Sequence, residues 1–340
     1  MTAGKYWRLR RLADRGGRFT MLAVDQRPPI ERLVAEARGE QAPRREDVSA
    51  VKTLLLEELS REVSAVLVDP LIAYPDGWRH LDPARGLLVT LEHAVYDEGP
   101  GGRRSGPIPG WSVEAIARLG GDAVKVLAWY RPDADPAVCE HQQAWVAEVG
   151  EACRRHDLPF VFELLVYPFA ADHGSGDEYA EDPGKRAEAV IESVETFADP
   201  AFGVDLFKLE SPIPAAELPP PDLDDGTTAG WFSALDRAAG RPWVMLSAGA
   251  SADDFRRVLH YALDAGASGF LAGRAIWAEA MEAFPDLEAC RAALRGDAVP
   301  YLRTLVDDAT ASARPWFEHP GLGAPDGVDA AFAETYGGAS

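Results

Sequence analysis

Eight short runs rich in apolar and β-branched residues, alternating with longer stretches of helical spacing, constrain this chain more than any other feature. The runs are residues 19–25, 63–69, 86–92, 122–128, 159–165, 203–210, 243–248 and 268–273. Helical spacing covers 48–59, 113–119, 137–155, 186–197, 231–239 and 252–265. Strand then helix, eight times over, predicts an α/β protein of the (β/α)8 TIM-barrel type, because near-continuous apolar strands suit a parallel sheet buried on both faces. An open doubly wound sheet is the rival. Its phosphate turn would need GxGxxG after the first strand, where this chain has Asp25-Gln26-Arg27-Pro28. A barrel takes about 250 residues, which leaves material for insertions and a C-terminal helical addition over 286–313. Residues 1–318 read as a single barrel domain with N- and C-terminal additions, and 319–340 as a Gly/Ala-rich tail, expected to be partly disordered. Segments 98–110 and 212–226 read as loops by their glycine and proline content.

The formal charge of −21 would repel phosphate backbones and anionic lipid, so nucleic acid and membranes are excluded as first expectations. No apolar run reaches the length of a membrane span and the first 11 residues lack a hydrophobic signal core, which predicts a cytoplasmic protein. Cys139, Cys153 and Cys290 form no CxxC pair and are expected to be three buried thiols.

Ionised groups sit where barrel strands should be apolar: Lys125, Glu163 and Lys208 inside strands, with Asp25, Asp69 and Glu92 at strand ends. Burying an unpaired charge costs several kcal/mol, so such groups must serve a purpose. Only five lysines occur against 29 arginines, so a lysine within a strand stands out. A primary amine can condense with a carbonyl, and a second amine beside it would favour its neutral form. The alternative is a buried Lys–Glu network that only holds the barrel together. Ser247-Ala248-Gly249 and Gly273-Arg274 follow strands seven and eight, where barrels commonly hold phosphate. Of seven histidines only His93 falls near a strand end, and no GxSxG occurs. A metal site and a serine nucleophile are therefore not expected.

The stretches Ala23-Val24-Asp25-Gln26-Arg27, Asp122-Ala123-Val124-Lys125, Phe162-Glu163-Leu164, Phe207-Lys208-Leu209-Glu210, Leu246-Ser247-Ala248-Gly249 and Gly273-Arg274-Ala275-Ile276-Trp277 resemble, in order and spacing, the class I tagatose 1,6-bisphosphate aldolase family. The resemblance implies a metal-independent, cofactor-free barrel lyase that cleaves a ketose bisphosphate to dihydroxyacetone phosphate and glyceraldehyde 3-phosphate through a lysine imine. It implies Lys208 as the imine-forming lysine, Lys125 as its electrostatic support, Glu163 as the acid/base and Asp25 as the carboxylate on the substrate hydroxyls. It further implies Gln26, Arg27, Ser247, Gly249, Gly273 and Arg274 as substrate and phosphate contacts. The expected partner is a small sugar phosphate, with a homo-oligomer as a further expectation. Two departures, Pro168-Phe169 after Tyr167 and the Arg103-Arg104 loop, bear on the substrate. They leave open another ketose 1-phosphate, sulfonated or deoxy, whose far end Arg103 and Arg104 would bind if they are not simply an exposed surface pair. A catalytically silent sugar-phosphate sensor and an imine-forming dehydratase or transaldolase are the other readings.

Overall fold

The computed structural model describes all residues except 100, 169–181, 183, 321, 323–324, 326–327, 331 and 337–340, so Phe169 and those positions of the 319–340 tail lie outside the described residues. All eight predicted runs become strands: β1 Phe19–Ala23, β2 Ala65–Val68, β3 Gly86–Thr90, β4 Ala123–Trp129, β5 Phe160–Leu165, β6 Leu206–Leu209, β7 Trp243–Met245 and β8 Gly269–Ala272. They close into a parallel barrel in the order β1-β8-β7-β6-β5-β4-β3-β2, the (β/α)8 fold. Alternation along each strand separates two cores. Inward residues such as Phe19, Met21, Leu88, Val161 and Val244 fill the lower barrel, which Leu9, Leu12 and Trp316 plug from below. Outward residues pack against the surrounding helices.

Helix Val113–Leu119 begins where the Ser112 side chain accepts the N–H of Ala115, and Ala252–Ala265 where Ser251 accepts that of Asp254. The latter stops at Gly266, whose φ of +112° few other residues tolerate. The C-terminal addition forms as Leu287–Ala293 and Val299–Ser312, joined by a π-turn. Helices Ala3–Leu12, Pro28–Arg38 and Ala73–Gly77 were not expected from spacing. Ala3–Leu12 buries only Lys5, Leu9 and Leu12, one of them charged, too narrow an apolar stripe to register. Pro28-Pro29 reads as a turn, yet proline suits the first helical turn, where an N–H is not needed.

Segment 98–110 corrects the loop reading, since Asp97–Gly99 and Gly102–Arg104 pair as an antiparallel ribbon beside the barrel mouth. Arg103 is not an exposed surface residue. It is buried, with its guanidinium 4.6, 4.8 and 4.9 Å from the ring centroids of Tyr96, Trp129 and Tyr167 and an ion pair to Glu98 at 3.1 Å. Segment 212–226 carries only the short 3-10 turns Ala215–Glu217 and Pro221–Leu223. Cys153 and Cys290 are buried, whereas Cys139 is half-buried. Among the described residues no helix is long and apolar enough to cross a membrane.

Candidate active site

Parallel register places β5 beside β4 and β6, with Glu163 directly opposite Lys208 and Leu127, two residues beyond Lys125 on the same face of β4. All three charged side chains therefore point into the barrel, above the apolar plug. They line a cavity together with Asp25, Gln26, Arg27, Glu92, Ser247, Gly273 and Arg274. Lys125 Nζ and Lys208 Nζ converge on one carboxylate oxygen, Glu163 Oε2, at 2.7 and 2.8 Å. These are charge contacts at angles outside good hydrogen-bond geometry. Lys125 also donates to Asp25 Oδ2 at 2.9 Å and to Glu92 Oε1 at 2.7 Å.

The charge balance of this cluster sets its protonation. Burial would raise the pKa of Asp25, but Lys125, Lys208 and Arg27 outweigh it and hold the carboxyl well below its usual range. Glu163 is treated the same way: burial pushes up, and the two lysines pull it below the ordinary value. Burial disfavours the Lys125 ammonium, and its three carboxylate neighbours overcome this and raise its pKa well above normal. Lys125 is thus a fixed cation, and Asp25 and Glu163 are ionised carboxylates.

The loops after β7 and β8 form the other wall. Ala248 (φ +45°) and Gly249 (φ +85°) are both left-handed, in a turn closed by Ala250 N–H to Ser247 O at 2.8 Å. Gly249 stands 3.0 Å from Arg274 Nη1, measured from where a Cβ would be, on the outer side of this turn and away from the lysine cavity. Burial lowers the pKa of Arg274 while Glu163 opposes the shift. At Gly273 an added Cβ would meet Ala23 O and Gln26 Nε2 at 2.6 Å, so only glycine permits the β8 exit to pass so close to β1.

Spacing missed several members of the site. Glu92 was visible as a strand-end acid, but its partners were not: Thr90 Oγ1 donates to it at 2.9 Å and Arg27 holds both its backbone carbonyl (2.8 Å) and its side chain (3.3 Å). Leu127, Leu165 and Leu246 add an apolar wall, which strand pattern alone does not distinguish from core. Asp69, flagged alongside Asp25, does not line the cavity, and its carboxylate turns back onto its own loop. Among the described residues no three His, Cys, Asp or Glu side chains are grouped to hold a metal ion.

A closed parallel barrel whose mouth holds two amines on one carboxylate defines a barrel enzyme of the lysine-bearing kind. The family model described as DeoC/LacD family aldolase matches residues 19–279, and the chain belongs to this family. It is 33% identical over 291 residues to the tagatose 1,6-diphosphate aldolase of Streptococcus agalactiae serotype V, spanning 84% of this chain and 88% of the relative. The tagatose 1,6-diphosphate aldolase 2 of serotype III is 32% identical over 330 residues, spanning 94% and 99%. In fold the chain resembles an archaeal fructose 1,6-bisphosphate aldolase, with a TM-score of 0.57 at 19% identity over 90% of this chain and 99% of that one. The protein is a lyase of the aldolase type.

Proposed function

We propose that this aldolase is metal-independent and cleaves tagatose 1,6-bisphosphate to dihydroxyacetone phosphate and glyceraldehyde 3-phosphate through an imine on Lys208. The substrate follows the names of its relatives, and the chemistry follows from one observation, the two lysines sharing Glu163 Oε2. Glu163 accepts the proton of the Lys208 ammonium, and the free amine adds to the ketose carbonyl to give a carbinolamine. Glu163 returns a proton to the departing water, leaving a protonated imine. Lys125 remains charged throughout and balances the carboxylates that change state around it. Asp25, ionised and facing the cavity, takes the proton of the substrate hydroxyl as the C–C bond breaks, and the electron pair moves into the imine. The phosphate of the dihydroxyacetone half lies at Ser247, Gly273 and Arg274, while Gln26 and Arg27 meet the other end. A cytoplasmic location, where sugar phosphates are made and consumed, belongs to the same reading.

Peptide mass spectrometry after incubation with dihydroxyacetone phosphate and borohydride tests this. The reduced adduct is expected on the peptide carrying Lys208 and is expected to vanish, with all turnover, in a folded Lys208→Met variant. An adduct confined to the Lys125 peptide, or turnover retained by Lys208→Met, would refute the assignment.

A further inference from the structure

The mechanism uses two of the five lysines and leaves Lys52 without a role. Lys52 lies on helix Arg45–Leu59, outside the barrel wall, and is wholly buried. Its Nζ donates to the carbonyl oxygen of Val24 at 2.9 Å and to Asp69 Oδ2 at 2.6 Å. Asp69 is itself fixed, since Oδ1 accepts the N–H groups of Leu71 (2.9 Å) and Ile72 (2.8 Å) and Oδ2 that of Ala73 (3.2 Å). The amine therefore hangs from a rigid anchor and reaches one backbone atom just past β1.

That atom is at an informative place. Strand β1 ends at Ala23, and the N–H of Val24 makes the ladder bond to Leu67 O at 2.9 Å just past that end. Asp25, Gln26 and Arg27 follow immediately and all line the cavity. Lys52 supplies a charge-assisted hydrogen bond to the carbonyl that precedes Asp25, at the point where the sheet ceases to hold the chain. A methionine of similar length would fill the same space among Leu55, Leu56 and their neighbours without the desolvation that a buried ammonium suffers. Asp25 and Arg27 also lie within electrostatic reach of the amine.

We infer that Lys52 is a positioning residue for Asp25: through the Val24 carbonyl it fixes the chain so that the Asp25 carboxylate meets the substrate hydroxyl during C–C cleavage. The inference rests on the aldolase reading and on the part that reading gives Asp25. It separates two steps of one reaction. Imine formation depends on Lys208, Glu163 and Lys125, which stand on other strands, while bond cleavage depends on Asp25.

The test counts imine-forming sites by borohydride trapping with dihydroxyacetone phosphate, and measures cleavage of tagatose 1,6-bisphosphate per trapped site. In Lys52→Met the trapped fraction is expected to stay within about twofold of wild type while cleavage per trapped site falls about 10–100-fold, in kcat more than in KM. An unchanged rate per trapped site overturns the proposal and leaves the aldolase reading intact, as does a parallel loss of trapping and cleavage, the mark of a purely structural brace. No trapping in the wild-type enzyme would overturn the aldolase reading first. Should Lys52→Met fail to fold, Asp69→Asn keeps the Oδ1 bonds to Leu71 and Ile72 and removes the Oδ2 acceptor that anchors Lys52, with the Ala73 bond lost beside it. The same split is then expected at smaller size, and its absence overturns the proposal.

Discussion

The two ends of the barrel both bury ion pairs, and they bury them differently. At the lower end Lys5 meets Asp205 at 2.6 Å, and the same Asp205 oxygen accepts the N–H of Phe160 at 2.8 Å. Asp122 likewise takes Arg11 at 2.6 Å on one oxygen and the N–H of Leu87 at 2.9 Å on the other. Each carboxylate there has one cation and one backbone donor, so nothing is left to react. At the mouth Lys125 faces three carboxylates, Glu163 faces two ammonium groups, and among the described residues none of Asp25, Glu92 and Glu163 accepts a backbone N–H. A charge held mainly by other charges changes state when one of them does. The difference between a brace and a reactive cluster here lies in the backbone donors, since Lys5 and Asp122 are buried as the mouth groups are, although Arg11 is exposed. By that measure Lys52–Asp69 and Lys185–Glu210, where Glu210 Oε1 accepts Val166 N–H at 2.7 Å, are held rather than reactive pairs although they lie at the mouth.

Substitutions at the two ends should separate along this line. The largest effect belongs to Lys208→Met, which removes the nucleophile and all turnover with the melting behaviour retained. Glu163→Gln should follow, slowing imine formation about 10²–10⁴-fold in stopped-flow trapping, the scale of a lost acid/base. An unaltered rate would assign the proton transfers to another group. Lys5→Met, at the opposite end, should cost about 3 kcal/mol of stability in chemical denaturation, with kcat per folded enzyme unchanged. A matching loss of kcat would mean that the lower pairs reach the chemistry and the contrast fails.

The subtlest change is a pH signature of Lys125→Met. Asp25 and Glu163 have pKa values lowered in the folded enzyme, so their contribution to stability is complete above the ordinary carboxylate values and disappears as pH falls through the folded ones. Without Lys125, burial works against ionised carboxylates with less opposition, and their pKa values move upward. The stability deficit of the variant should therefore be greater at pH 7 than at about pH 4, where its carboxylates can take up protons. A deficit independent of pH across thermal melts would show that Lys125 does not set their charge.

Much of this was legible in the chain itself. All eight strands coincide with apolar runs, and helices Val113–Leu119 and Ala252–Ala265 start and stop on local capping groups, because strand alternation and capping are carried by neighbours in sequence. The charged positions Lys125, Glu163 and Lys208 stood out because a parallel strand has no other use for them. The scarcity of lysine had a meaning that only the fold disclosed: all five are buried and each is paired with a carboxylate, while surface positive charge is left to arginine.

Other features had no local signal. The burial of Arg103 depends on Tyr96, Trp129 and Tyr167 meeting around it from three separate segments. Asp25 and Asp69 end similar strands, Ala-Val-Asp and Leu-Val-Asp, and strand pattern gives no ground for telling them apart. In the folded protein Asp69 is satisfied by its own loop and by Lys52, while Asp25 faces Lys125 across the barrel. The strand-end position of an acid is set by the pattern along the chain, but whether it braces or reacts is set by the atoms within about 3 Å of it, and those arrive from distant segments that only the closed barrel brings together.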